Sequence, residues 1–485
     1  MGLLLLFNGG FMLMAALVSG IYNDGVTLDI SLAGIVTVLS GTLLMYITRG
    51  HKREVKKKEG YIIVTFGWIF MSFSGMLPYI FSEAIPSVTN AFFETMSGYT
   101  TTGASILNDI EILPEGILFW RSTTHWIGGM GIIVLAIAIL PLLGIGGMQL
   151  FAAEAPGPSA DKLHPRITDT AKRLWLIYFG YTIAETILLK IAGMSFFDAI
   201  NHSMSTLSTG GFSTKNASLA YWNDKPIIQY IVMLFMFLAG TNFILSYFAF
   251  KGKVQKIIKD DEFRFYRRAI FIFAIIAAVV VYFQANVSIS EYHPMVWGAG
   301  ESAFRHSLFQ VLAVVTTTGF VTADYTAWTA FLTVFFFGLM FMGGSAGSTA
   351  GGVKVVRHML MIKNGLLEFK RTLHPNAVIP VRYNNRSVTQ EIIYNILAFF
   401  ILYMLLFIIG ALVFGFMGLD FESAIGTAAS SLGNVGPAFG DMGPLNNYAS
   451  LPTLGKWWST FLMLLGRLEL FTVLIVITPY FWKKI

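Results

Sequence analysis

"NAFFETMSGYTTTGAS", residues 90 to 105, stands between two long apolar runs, is helical in character at its start, and ends on threonines and a glycine. It aligns without gaps on "DAINHSMSTLSTGGFS" (198 to 213) and "SAIGTAASSLGNVGPA" (423 to 438). Each begins with a polar residue and Ala, carries Ser at its eighth place (Ser97, Ser205, Ser430) and Gly at its fourteenth (Gly103, Gly211, Gly436). A fourth copy, "SAFRHSLFQVLAVVTTTGFV" (302 to 321), has four extra residues and reaches the same pattern at Gly319. The interval from Gly103 to Gly211 equals that from Gly211 to Gly319, 108 residues, and that from Gly319 to Gly436 is 117, a regularity that marks an internal repeat.

Each copy is flanked by apolar runs: roughly 61 to 81 and 117 to 143, 174 to 194 and 227 to 250, 269 to 288 and 328 to 371, 391 to 417 and 457 to 482. A spanning helix needs about 20 residues, and each copy offers only about a dozen before its glycine, so the segment must dip into the bilayer and return. Irregular backbone at that depth is tolerated only against protein or a watery cavity. Four such hairpins can meet around one axis, and rings of backbone carbonyls are one way to replace a cation's hydration shell. Glycine opens backbone conformations closed to other residues, so its recurrence at one place reads as a conformational requirement.

The rest of the 485 residues agrees. The chain is 55% hydrophobic and 12% charged, with a mean hydropathy of +0.66, against about 25% charged residues in soluble domains. Two more apolar runs, 2 to 22 and 31 to 48, precede the first copy; the first lacks a basic leader and a cleavage site and reads as a retained helix. With no Cys, disulfides, thiolate metal sites and a Cys nucleophile are excluded. The net charge of +6 collects in "RGHKREVKKKEG" (49 to 60), around Lys162 to Arg173, from Lys251 to Arg268, from Lys354 to Arg386 and at Lys483 and Lys484, which predicts cytoplasmic loops rather than a nucleic-acid surface. The alternating loops, "SEAIPSVTN" (82 to 90) and "NDIEILPEG" (108 to 116), are neutral or acidic.

"TTTGA", "STGGF", "TTTGF" and "NVGPA" within four linked helix-hairpin-helix units resemble the Trk/Ktr/HKT superfamily of potassium transporters, most closely its TrkH branch, over essentially the whole chain. The resemblance extends to "PGPSADKLHPRI" (156 to 167) and to a Gly-rich break in unit three. It implies an all-α polytopic membrane protein of four tandem units, each helix, re-entrant pore loop, helix, in pseudo-fourfold arrangement around one pore, plus two N-terminal transmembrane helices. The expected divisions are 1–50 for the N-terminal pair, then 60–145, 172–251, 267–372 and 388–485 for the pore units. It further implies potassium uptake across a bacterial inner membrane without catalysis or cofactor, potassium being the transported ion. The partners implied are a second copy in a homodimer, membrane lipid, and a cytoplasmic nucleotide-binding ring of TrkA type; no nucleic acid is expected. The chain has single glycines where tetrameric channels have a longer Thr-Val-Gly-Tyr-Gly stretch, while Gly103, at a place where Ser accompanies sodium transport in plant relatives, favours potassium. A secondary transporter of sodium or another cation is the alternative, and coupling to protons or sodium is open.

The carbonyls of Thr101, Thr102 and Gly103, of Thr209, Gly210 and Gly211, of Thr317, Thr318 and Gly319, and of Asn434, Val435 and Gly436 are the expected cation ligands. In unit two either Gly210 or Gly211 could hold the shared place; the ungapped match and the following Phe212 and Phe320 favour Gly211. Arg467 lies eleven residues past Lys456, about 16 Å along its helix at about 1.5 Å per residue. In the family the matching arginine projects into the pore below the filter; a buried pair with an acid such as Glu185 is the other reading. Glu94, Asp198, Glu301 and Glu422 fall near the starts of the re-entrant helices, as dipole partners, as a negative vestibule, or both. His125 is expected to start a long helix, and His202 and His306 to lie in re-entrant ones; none has metal-ligand spacing.

"FMGGSAGSTAGGVK" (341 to 354) is not a phosphate loop, since Gly352 is followed by Val353 rather than Lys and the flanks belong to a membrane helix. Residues 343–352, with Gly343, Gly344, Ser345, Gly347, Gly351 and Gly352, are expected to form a mobile gate beneath the filter, or else a passive kink. Ser345, Ser348 and Thr349 could satisfy the freed backbone groups, and Lys354 and Arg357 could transmit a pull from a cytoplasmic partner.

Overall fold

The computed structural model describes residues 1–50, 57–131, 167–285 and 295–483. The motif at 156 to 167 lies almost wholly outside them, as do the middle of the basic loop at 49 to 60 and the end of the first unit's second apolar run.

Two antiparallel helices, Gly2–Tyr22 and Thr27–Ile47, open the chain. Their facing glycines permit close approach: a Cβ on Gly41 would stand 2.7 Å from the Gly2 carbonyl oxygen, and one on Gly9 2.8 Å from that of Gly34. The turn between them fixes the pair to unit one, because Asp24 accepts from the Gly116 amide at 2.7 Å.

Each of the four units that follow has a leading helix: Lys57–Gly75, Ile167–Ile191, Asp261–Gln284 and Gln390–Phe416. Among the described residues six helices are long and apolar enough to cross a membrane. Leu397, Ile401, Leu405, Ile408 and Leu412 of the last form an exposed apolar stripe at helical spacing, which in a membrane protein faces lipid.

The re-entrant helices follow: Val88–Tyr99, Phe196–Leu207, Ala299–Val315 and Phe421–Gly433. The third is the longest, in keeping with the extra residues of its copy. Side chains cap the starts in units two and four, and an ion pair one turn long follows the start in unit three. Ser195 accepts from the Asp198 amide, and Asp198 accepts from Ser195 and Thr214. Glu301 pairs with Arg305 at 2.8 Å. Asp420 accepts from the Ser423 amide, and its bonds to Ser423 hold its carboxyl below the ordinary value.

The trailing helices differ from the unbroken runs that hydropathy predicts. Glu115–Trp126 passes into a π-helical turn at Ile127–Gly131. Pro226–Ala239 and Phe243–Phe250 meet at 105°, and Thr453–Arg467 and Phe471–Ile477 at 118°. In unit three, Ala330–Leu339 and Val355–Leu373 are separated by the expected glycine loop. Breaks were legible only there; Gly240-Thr241-Asn242, and Glu469 and Leu470 at φ of 57° and 51°, break the second and fourth without any glycine-rich signal. His125 consequently ends its helix instead of starting one.

Candidate cation pathway

The four re-entrant helices end alike. The amide at one place donates five residues back: Thr102 to the Ser97 carbonyl at 2.9 Å, Gly210 to Ser205 at 2.8 Å, Thr318 to Ala313 at 2.8 Å, Val435 to Ser430 at 3.0 Å. The preceding residue is left-handed in every unit, with φ of 49° at Thr101, 56° at Thr209, 56° at Thr317 and 54° at Asn434. This is the Schellman ending, with Thr or Asn where glycine is usual. The common Ser at the eighth place thus supplies a backbone acceptor, as Ala313 does in unit three, while its hydroxyl also contacts His125 in unit two and donates to the Gly436 carbonyl in unit four.

Two residues on from Thr101, Thr209, Thr317 and Asn434, the glycines are left-handed as well: Gly103 at 80°, Gly211 at 84°, Gly319 at 70° and Gly436 at 99°. Gly210 is absent from this conformation, so Gly211 is the structural counterpart of the other three. A Cβ on Gly103 would collide with the carbonyl oxygen of Gly210, one on Gly211 with that of Thr318, one on Gly319 with that of Val435, and one on Gly436 with that of Thr102. Unit one leans on two, two on three, three on four and four on one, so the cycle closes. The helices end at this ring, which turns four carboxyl ends, each worth about half a negative charge, toward the place where the carbonyls gather.

The second ties are side chains. Thr102 Oγ1 bonds Thr100 Oγ1 at 2.8 Å and accepts from Asn434 Nδ2 at 3.0 Å, and Thr318 Oγ1 bonds Thr316 Oγ1 at 2.7 Å.

The glycine loop lies against the helix ends of this ring. Gly351 N donates to Thr317 Oγ1 at 2.7 Å, and a Cβ on Gly351 would come within 2.7 Å of the Gly433 carbonyl. Thr349 Oγ1 donates to the Leu207 carbonyl at 2.9 Å, and Ser345 N to that of Gly240 at 2.8 Å. The Gly343 amide bonds the Val353 carbonyl, Gly344 accepts from Val355, and Gly347 and Gly352 are left-handed at 75° and 64°. Ser348 donates to the Ser345 carbonyl at 2.6 Å, while the Ser345 hydroxyl itself has no hydrogen-bond partner among the described residues. At its far edge Glu262, buried at the start of the third leading helix, accepts from Ala346 N at 2.7 Å.

Arg467, half-buried, closes the arrangement. Its guanidinium donates to the carbonyls of Thr349 at 2.8 Å, Gly128 at 2.5 Å and Gly129 at 2.6 Å, joining the loop to the π turn of unit one. Glu185 is buried elsewhere, beside Thr206. Glu469 turns away and pairs with Arg357, whose guanidinium also covers the Phe399 ring at 3.7 Å.

The four acids are not alike. Asp198, Glu301 and Glu422 occupy first turns, but Glu94 is buried in the middle of its helix. It accepts from Arg121 at 2.7 Å, Ser105 at 2.9 Å and Ile106 N at 3.0 Å, so it fastens the descending limb of the first hairpin instead of facing a vestibule. Arg121 and His125, one turn apart, both reach the second hairpin; neither was singled out for this by the sequence, whose only hint is the doubled glycine of "STGGF".

A family model described as TrkH, cation transport protein, matches residues 28–484. The Trk system potassium uptake protein TrkH of Escherichia coli (strain K12) is 41% identical over 486 residues, covering 100% of this chain and 98% of that protein. The Trk system potassium uptake protein TrkG of the same organism is 35% identical over 443 residues, covering 90% and 88%. The crystal structure of the potassium transporter TrkH from Vibrio parahaemolyticus matches with a TM-score of 0.87 at 37% identity, covering 99% of this chain and 98% of that one. A repeat of four glycine-bearing hairpins, a multi-pass helical fold and full-length relatives coincide, and the chain belongs to the TrkH family of cation transport proteins.

Proposed function

We propose that this chain takes up potassium across the bacterial inner membrane through one central pore, with the carbonyls of Thr101 to Gly103, Thr209 to Gly211, Thr317 to Gly319 and Asn434 to Gly436 as its selectivity filter. The observation that carries the reading is the closed cycle in which each unit's glycine abuts the next unit's carbonyl. Backbone so placed, with no side chain between units, can present a ring of oxygens to a dehydrated cation. The relatives' description as potassium uptake proteins supplies the ion.

Residues 343–352 are the gate, and Arg467 is its electrostatic bar: a guanidinium on the conduction path repels cations strongly where water is scarce. The protein works as a homodimer under a cytoplasmic ring of TrkA type, which binds the nucleotide; the basic faces around Lys251 to Lys259 and Lys354 to Arg386 are the docking region. Reconstitution into vesicles with opposed potassium and sodium gradients tests the reading: potassium and rubidium flux well above sodium is expected, and equal fluxes would refute the filter.

A further inference from the structure

We propose that His125 of unit one is a selectivity-determining positioning residue: its imidazole occupies the room a side chain on Gly210 would need and so holds the unit-two limb of the filter in place. This rests on the carbonyl ring being the filter.

The argument begins with why residue 210 is glycine. In units one, three and four the matching place carries Thr102, Thr318 and Val435. Gly210 has no left-handed φ, so its backbone does not require glycine. What forbids a side chain is space: a Cβ there would strike His125 Nδ1, with the ring's Cγ and Cε1 also within 2.7 Å. The threonines of units one and three are braced by hydroxyl bonds to Thr100 and Thr316. Unit two has no such brace, because Gly210 has no hydroxyl and Ser208 bonds the Ser205 carbonyl instead.

His125 supplies the missing support from the neighbouring unit. Its ring stacks on Phe212 with centroids 3.9 Å apart and planes 13° from parallel. Its Nδ1 lies 3.4 Å from both the Ser205 hydroxyl and the Phe212 amide. One turn earlier, Arg121 covers the same Phe212 ring at 3.6 Å and donates to the Ser213 carbonyl at 2.9 Å. Gly210 and Gly211 are thus held between a buried aromatic stack and the Gly103 backbone of unit one. The Gly210 carbonyl is the one that abuts Gly103, so a shift in the imidazole is transmitted to a filter carbonyl without His125 touching the ion.

The test measures the potassium-to-sodium flux ratio in reconstituted vesicles, with recovery of monodisperse protein as a control. His125→Ala, which removes the wedge, is expected to lower the ratio about tenfold, a change worth about 1.4 kcal/mol. His125→Phe, which keeps a flat ring over Phe212, is expected to retain most of it. Gly210→Ala alone is expected to misfold or lose selectivity, and Gly210→Ala with His125→Ala to recover both in part. A folded His125→Ala with the wild-type ratio overturns the proposal. If His125→Ala cannot be recovered, a double variant no better folded than Gly210→Ala overturns it as well. Gly103→Ser separates the two levels: an altered ratio there beside an unaltered one in His125→Ala removes only this proposal, whereas no change in either removes the filter assignment with it.

Discussion

Thr101, Thr209 and Thr317 hold a left-handed conformation that β-branched residues rarely adopt, at a cost on the order of 1–3 kcal/mol each, and Asn434, of a type that tolerates it better, holds it in unit four. The surrounding contacts must over-determine these positions, and the five-residue amide bonds and interlocked glycines do so. Gly103→Ser adds a Cβ against the Gly210 carbonyl, so a lowered potassium-to-sodium flux ratio is expected, with a loss of about 1.4 kcal/mol giving tenfold. Gly319→Ser should act likewise against Val435; wild-type ratios in both would refute the assignment. Arg467→Ala is expected to raise cation flux, and Arg467→Lys to raise it less, since one ammonium keeps the charge but cannot bridge three carbonyls as the guanidinium does. Unchanged flux in a well-folded Arg467→Ala would reduce the residue to a structural tie. The place of the glycines was readable because spacing exposes a shared backbone demand. The carbonyl partners of Arg467, and the buried pairing of Glu94, were not, because they join segments far apart in the chain.

At the scale of elements, each described trailing helix breaks beside the end of a re-entrant helix. Hydropathy reads composition along a window, so it saw continuous spans; only the glycine loop, where composition itself changes, announced its break. That loop is held by backbone bonds to units two and three, by Glu262, and by Arg467. Removing Gly343 to Ala346 takes away the bonds to Val353, Gly240 and Glu262 together. Flux without the regulator should rise and ion preference should persist, as recorded by rubidium uptake and by the potassium-to-sodium ratio. A folded deletion that conducts at the wild-type rate would make the stretch a packing kink.

For the whole molecule, the repeat gave away the four units and their order, while the ties that make them one body emerge only in three dimensions. On the face where the limbs descend from the ring, Asn216 bonds Ile110 N at 2.7 Å and Asp109 at 2.9 Å, Ala220 N bonds the Val321 carbonyl at 3.0 Å, and Tyr448 N bonds the Ser105 carbonyl at 2.7 Å. Beneath them, the buried Arg121–Glu94 pair links the first hairpin to the second through Ser213. Glu94→Ala strands a guanidinium, which typically costs about 3–5 kcal/mol; a clear fall in the unfolding temperature of the purified protein is expected, and an unshifted one would mean that water reaches Arg121. The closed cycle also bears on how the protein is made. Gly319 of the third unit abuts the Val435 carbonyl of the fourth, and Gly436 of the fourth abuts the Thr102 carbonyl of the first, so the ring lacks two of its four seams until the fourth unit has been made. A nascent or prematurely terminated chain holds hairpins but no finished conduit, and a cell building this protein gains ion permeability in one late step rather than by degrees.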